Sequence, residues 1–264
     1  MSLTTSEIDS QPAIWRQAAA SMIPRASALL TLPGARVLVL GCGTSAFVAQ
    51  AFAALREAAG FGVTDAAYAS EPWPWRDYDA VIVISRSGTT TEIVDALDAL
   101  PAGVRAIAVT GVADSPVADR ADDVLLLDFA DEESVVQTRF PTTFLLLARA
   151  AFGEDVDGLA DQAQAALALP LGIDVADYSH FVYLGSGWTY GLAQEAALKI
   201  REAAQAWSES YPLLDYRHGP LAVASDHDPL IELARAQQLA VAIAEHRGLN
   251  PDRPRNLTRS IVLG

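Results

Sequence analysis

Short β-branched runs alternate with alanine-rich stretches along the first half of the chain, and this alternation restricts the fold more than any other feature. Residues 37–40, 79–84, 106–110 and 123–128 read as strands. Residues 46–59, 91–100, 115–120 and 135–152 read as the helices that follow them. The strand runs are apolar at consecutive rather than alternate positions, so both faces are expected to be buried. Such strands separated by helices predict an α/β fold built on a parallel sheet flanked by helices. With 264 residues, 51% hydrophobic and 19% charged, the chain can build a core, which excludes global disorder.

After residues 153–158 the pattern restarts. An alanine-rich helix over 159–169 stops at Pro170, a strand is expected at 181–184 and a long helix at 188–207. Leu40-Gly41-x-Gly43 and Ala49-Gln50 recur as Leu184-Gly185-x-Gly187 and Ala193-Gln194, each displaced by 144 positions (185 − 41 = 144). A duplicated α/β unit is therefore expected, with an N-terminal arm at 1–21, a first domain at 22–155 and a second at 156–264. The second is short. After Ala224 the chain runs almost directly into a helix at 229–247, and a full strand-helix-strand unit of about 30 residues has no room there. Either the second sheet is small or a segment is missing near Ser225-Asp226-His227-Asp228.

Composition excludes several partners. Eighteen basic against 33 acidic residues leave a formal charge of −15, and the basic residues are scattered, so nucleic acid is not expected. No apolar run approaches the length that spans a bilayer, and the polar start is unlike a secretory signal, so no membrane association is expected. A single cysteine, Cys42, permits no internal disulfide and points to a reducing, cytoplasmic setting. One cysteine and four histidines give no reason to expect a metal.

Two loops and one helix carry the candidate chemistry. Ser85-Arg86-Ser87-Gly88-Thr89-Thr90-Thr91 follows an apolar strand and opens a helix; five of its seven residues bear hydroxyls. Helix-start N–H groups and hydroxyls at the carboxyl end of a central strand suit a phosphate, while an ordinary capping turn would use one such residue. Gly41-Cys42-Gly43-Thr44-Ser45-Ala46 has the form G-x-G-x-x-A, but no acidic residue is well placed for a ribose, so Thr44 and Ser45 are read as further hydroxyls for the same pocket. Glu195, Lys199 and Glu202 fall on one helical face. A surface ion-pair ladder is the plain reading. Against it, 17 of the 18 basic residues are Arg and Lys199 is the only Lys, which points to a need for a compact ammonium. His218, before Gly219-Pro220, is either an ordinary loop histidine or a proton carrier near neutral pH.

Read together, residues 41–45, 85–90, 197–202, 217–221 and 252–260 resemble the sugar isomerase (SIS) family. More narrowly they are similar to the isomerase portion of glucosamine-6-phosphate synthase and to ketose/aldose isomerase-like and fructosamine-6-phosphate deglycase-like proteins. Residues 134–143 also match the segment that closes the family's first domain. The resemblance implies two SIS domains, a homodimer with a shared active site, a phosphorylated sugar or amino sugar as ligand, and no cofactor. It implies that Thr44, Ser45, Ser85, Ser87 and Thr90 hold the sugar phosphate, with Arg86 where the synthase has Gln, and that Val135 touches the sugar. Glu202 would carry the proton between C1 and C2, Lys199 would share the site, and His218 would open the sugar ring from the other subunit. The chemistry suits these groups: a carboxylate with a raised pKa can move a proton α to a carbonyl, and His can both give and take one.

Three departures bear on the reaction. No glutaminase portion with an N-terminal Cys is expected, so ammonia would not come from glutamine. The synthase's Schiff-base lysine falls at Arg259, and a permanently protonated guanidinium cannot form that imine, although it can clamp an anionic oxygen. The second domain is short. The expected activity is isomerase, deaminase or deglycase chemistry through an enediol or enolamine; the alternative is a phosphosugar sensor without turnover.

Overall fold

The computed structural model describes residues 2–73, 76–178, 180–216, 229–255 and 257–258. Its centre is a five-stranded, fully parallel sheet in the order β2-β1-β3-β4-β5, from β1 (Val37–Gly41), β2 (Thr64–Tyr68), β3 (Ala80–Ile84), β4 (Arg105–Thr110) and β5 (Asp123–Leu126). Alternate residues of the apolar strands enter two different layers, as the period of two requires. Val37, Val39, Ile82, Ile84, Ile107 and Val109 join one core with Trp15, Phe52, Phe140 and Phe144. Leu38, Leu40, Val81, Val83, Ala106 and Ala108 join the other with Ile93, Leu97 and Val117. Burial on both faces is the reason these strands lack alternation.

The first layer is formed by α1 (Leu3–Ser21), α2 (Ile23–Leu30), α3 (Thr44–Ala58) and α6 (Arg139–Ala151). The second holds α4 (Thr91–Asp98) and α5 (Pro116–Arg120). Two details differ from the sequence reading. Strand β2 is legible only in the structure, because Thr-Asp-Ala-Ala-Tyr has neither β-branched density nor an apolar run. The helix expected from residue 135 begins at Arg139 instead; residues 131–138 are a loop whose backbone is tied down by carboxylates.

Beyond α7 (Leu159–Leu167) a second parallel pair follows: β6 (His180–Gly185), α8 (Thr189–Lys199) and β7 (Trp207–Pro212), then α9 (Leu213–Tyr216) and α10 (Pro229–His246). The long helix expected over 188–207 ends early. Its last turn, Ile200–Ala204, widens to a π-helix, Gln205 takes a left-handed φ of 48°, and β7 begins two residues later.

The displacement of 144 is conformational as well as textual. Gly43 and Gly187 have φ of 54° and 56°, and a Cβ on Gly41 or Gly185 would strike the carbonyl four residues ahead, at Ser45 or Thr189. Helices α3 and α8 follow these two turns and cross at Gly191, where a Cβ would lie 2.5 Å from the carbonyl oxygen of Phe47. Phe47 is the repeat equivalent of Gly191 (191 − 47 = 144), so the helices meet at matching positions.

Candidate active site

The strand order places β1 beside β3 at the point where the chain reverses its direction across the sheet. Open parallel sheets bind ligands at that point, outside the carboxyl ends of the strands. A cavity of about 150 Å³ lies there. Its floor is the β1–α3 turn, with Thr44 and Ser45, and the β3–α4 turn, with Ser85, Arg86, Ser87 and Thr90. Val135 and Gln137 form one wall, and Glu202, Leu257 and Thr258 complete it.

The hydroxyls are arranged for a ligand as well as for the turn. Thr90 stands at the N-cap of α4 yet its side chain makes no cap bond; it lies 3.1 Å from the Ser85 hydroxyl instead. The Ser87 hydroxyl accepts from the Thr89 N–H and hydroxyl at 3.3 and 3.2 Å. These oxygens, together with the positive end of α4, suit an anion with several oxygens. Arg86 is buried. Its Nη1 donates to the Glu132 carbonyl at 2.7 Å and lies 3.4 Å from Asp131 Oδ1, so its charge binds the turn to the loop over 131–138.

Behind this floor lies a charge cluster. Lys199 is fully buried on α8, with Nζ 2.6 Å from Glu202 Oε2, 3.2 Å from Glu195 Oε1 and 3.1 Å from the Thr44 hydroxyl. The ladder on a solvated face is thus replaced by an internal triad. Glu195 is also fully buried, and its Oε2 has no hydrogen-bond partner among the described residues. Burial pushes the Glu195 carboxyl up to about 7, with Glu202 adding repulsion and Lys199 opposing. Burial pulls the Lys199 ammonium down, but Glu195 and Glu202 outweigh it and hold the group above its ordinary value. Glu202, the member of the triad on the cavity wall, keeps 18% of its side chain exposed and sits on the π-turn, a local widening that is frequent at functional sites.

Two further acceptors were not singled out from the sequence. Glu92 and Gln137 line the cavity, and Glu92 Oε2 and Gln137 Oε1 are buried without a partner among the described residues. Buried acceptors of this kind call for donors. A carboxylate on the second residue of a helix and a polar residue in the loop before a helix are common sequence patterns, so only the cavity reveals them. Cys42 also lines the cavity, but burial, with Glu92 beside it, pushes its thiol up to about 11, which makes it a poor nucleophile.

The structure therefore gathers Thr44, Ser45, Ser85, Arg86, Ser87, Thr90, Val135 and Glu202 around one cavity, with Lys199 directly behind it. His218 and Arg259 lie outside the described residues, as does the stretch 225–228. Among the described residues no cluster of His, Cys, Asp and Glu could hold a metal ion, and no helix is long and apolar enough to cross a membrane.

The SIS domain family matches residues 32–152, which span the five-stranded sheet and both turns. The chain is 28% identical over 187 residues to a glutamine--fructose-6-phosphate aminotransferase (isomerizing) of Clostridium perfringens, covering 62% of this chain and 31% of that protein. It is 27% identical over 274 residues to the protein of that name from Symbiobacterium thermophilum, covering 89% of this chain and 45% of the relative. The chain thus spans less than half the length of these curated relatives. Among solved structures, a glucosamine-6-phosphate deaminase from Thermotoga maritima superposes with a TM-score of 0.86 at 24% identity, covering 99% of this chain and 100% of that one. Tagatose-6-phosphate ketose/aldose isomerase from Escherichia coli gives 0.78 at 20% identity, covering 100% and 96%. These two likenesses show the fold.

Proposed function

The chain carries a SIS domain over residues 32–152, and from that premise we propose that it binds a hexose or amino-sugar 6-phosphate and shifts the carbonyl between C1 and C2. The observation that carries this reading is one cavity holding a hydroxyl-rich floor at the ends of two central strands and, in its wall, a carboxylate backed by a buried ammonium. Thr44, Ser45, Ser85, Ser87 and Thr90 hold the phosphate, and Arg86 fixes the turn and adds positive charge beneath it. Val135 and Gln137 face the sugar. Glu92 Oε2 and Gln137 Oε1 take up donors that a polyol or an ammonium supplies.

In this mechanism Glu202 takes the proton α to the carbonyl and returns it to the neighbouring carbon. Lys199 holds the Glu202 carboxylate at 2.6 Å and places a positive charge where an enediolate or enolamine forms. His218 opens the ring from the second subunit of a homodimer, and Arg259 clamps an anionic oxygen. The same proton transfer serves isomerase, deaminase and deglycase chemistry. Residues 156–264 form a reduced second SIS unit; the matching turns at Gly43 and Gly187 and the meeting of α3 with α8 support this. A non-catalytic sensor is the second reading, favoured by Arg259 standing where the synthase has lysine.

A pair of variants tests the reading. Glu202→Gln is expected to abolish turnover while hexose phosphates still bind, and Ser87→Ala to weaken their binding about tenfold, one phosphate hydrogen bond's worth. Turnover that survives Glu202→Gln would remove the assigned base, and unchanged affinity in Ser87→Ala would remove the phosphate floor.

A further inference from the structure

Helix α1 contributes nothing to the cavity surface, yet it bears on the cavity wall. We propose that Glu7, on α1, is a positioning residue of the site: its buried carboxylate sets the backbone over 133–136 and thereby holds Val135 and Gln137 against the sugar.

Glu7 Oε1 accepts from the backbone N–H groups of Glu133 and Ser134 at 2.7 and 3.2 Å, and Oε2 accepts from the Ser134 hydroxyl. Glu7 is buried and has no ion-pair partner among the described residues, so these three donors are what compensate its burial. The far end of the loop is fixed in the same manner. The Glu132 carboxylate accepts from the Thr138 hydroxyl at 2.6 Å and the Arg139 N–H at 2.8 Å. Val135 and Gln137 lie between the two anchors.

Glu7 can set this loop because α1 is itself immobilised. Asp252 accepts from the Leu3 and Thr4 N–H groups at 3.1 and 2.9 Å and from the Thr4 hydroxyl at 2.8 Å, which caps the start of the helix. Gln11 donates to Gln237 of α10 at 2.8 Å and accepts from Thr142 of α6 at 2.7 Å. Without Glu7, the backbone N–H groups of Glu133 and Ser134 would lose their acceptor, the Ser134 hydroxyl would keep the Val136 carbonyl at 2.9 Å, and the loop would reorganise to satisfy the two N–H groups. Arg86 joins the floor at 85–90 to this loop at the Glu132 carbonyl, ahead of the backbone N–H groups that Glu7 holds, so the floor is expected to keep its shape.

The inference rests on the proposed sugar-phosphate reading, and the test separates the two. Affinities for inorganic phosphate and for fructose 6-phosphate are measured on the full chain by calorimetry, with kcat and KM for any sugar turned over. Glu7→Ala is expected to weaken fructose 6-phosphate about tenfold, with inorganic phosphate changed less than about twofold. Glu7→Gln, which keeps an acceptor for the two N–H groups, is expected to rescue most of the loss. Should Glu7→Ala fail to fold, Glu7→Asp must move the same ratio in the same direction. Equal loss of both ligands, or no loss of either, would overturn the positioning role. A wild-type chain that binds inorganic phosphate but no hexose phosphate would remove the functional reading itself, and this inference with it.

Discussion

Lys199 is the residue on which the account turns. Its uniqueness among 18 basic residues is visible in the sequence, and so is its spacing from Glu195 and Glu202. What the sequence hides is depth, because a helical face of Glu, Lys and Glu has the same period whether it meets water or a neighbouring helix. Here α3 covers it, through Thr44 at 3.1 Å from Lys199 Nζ. Depth has a measurable consequence at Glu195. Burial lifts its carboxyl up to about 7, above the unfolded range, so the native state binds that proton more tightly than the unfolded chain does. Its contribution to stability is complete below the ordinary carboxylate pKa and is lost as pH rises through 7. Between about pH 5 and about pH 7 the wild-type Tm should fall relative to that of Glu195→Gln, the underlying slope being at most about 1.4 kcal/mol per pH unit, and above that range the two curves should run parallel. Parallel Tm curves for the two proteins within that range would contradict the assignment.

Among the elements, the strands β1, β3 and β4 were legible because burial on both faces leaves an uninterrupted apolar run, and the half-buried edge strand β5 was legible because Val124, Leu125 and Leu126 are apolar in succession. Strand β2 was not, since its edge position tolerates Asp65, nor was β7, whose Trp-Ser-Glu-Ser-Tyr follows a helix without a turn signal. The two turns that line the cavity were legible from glycines and hydroxyls. Residues 135–138 read as the start of α6 because Val135 and Val136 continue its apolar pattern; what delays the helix to Arg139 is the pull of Glu7 and Glu132 on the loop backbone, contacts that the local pattern does not carry. The crossing of α3 with α8 also depends on a tertiary contact. A Cβ at Gly191 would meet Phe47 O at 2.5 Å and Ala51 N at 2.9 Å. Gly191→Ala should therefore push the helices apart, lowering stability by about 1–3 kcal/mol and weakening sugar-phosphate binding as Lys199 separates from Thr44. An unchanged Tm would show that the crossing has room for a methyl group.

For the whole molecule, the repeat at 144 positions reappears as turns with matching φ at Gly43 and Gly187 and as the meeting of α3 with α8 at matching residues, which is the ground for proposing a reduced second unit. The proposed homodimer has a consequence that single-chain geometry does not. If His218 enters the partner's cavity, mixing inactive Glu202→Gln and His218→Ala chains gives heterodimers with one intact site out of two, and about a quarter of wild-type turnover should return. No recovery on mixing would place both residues in one subunit or remove His218 from the site. The central claim is that Glu202 forms an enediol or enolamine from a bound sugar phosphate. The most direct measurement is proton exchange in deuterated water with fructose 6-phosphate, glucosamine 6-phosphate, tagatose 6-phosphate, galactosamine 6-phosphate and fructosamine 6-phosphates, read by NMR beside Glu202→Gln. The account predicts deuterium at C1 or C2 of at least one sugar with the wild-type chain and none with the variant. Binding without exchange in the wild type would contradict it and leave a sensor.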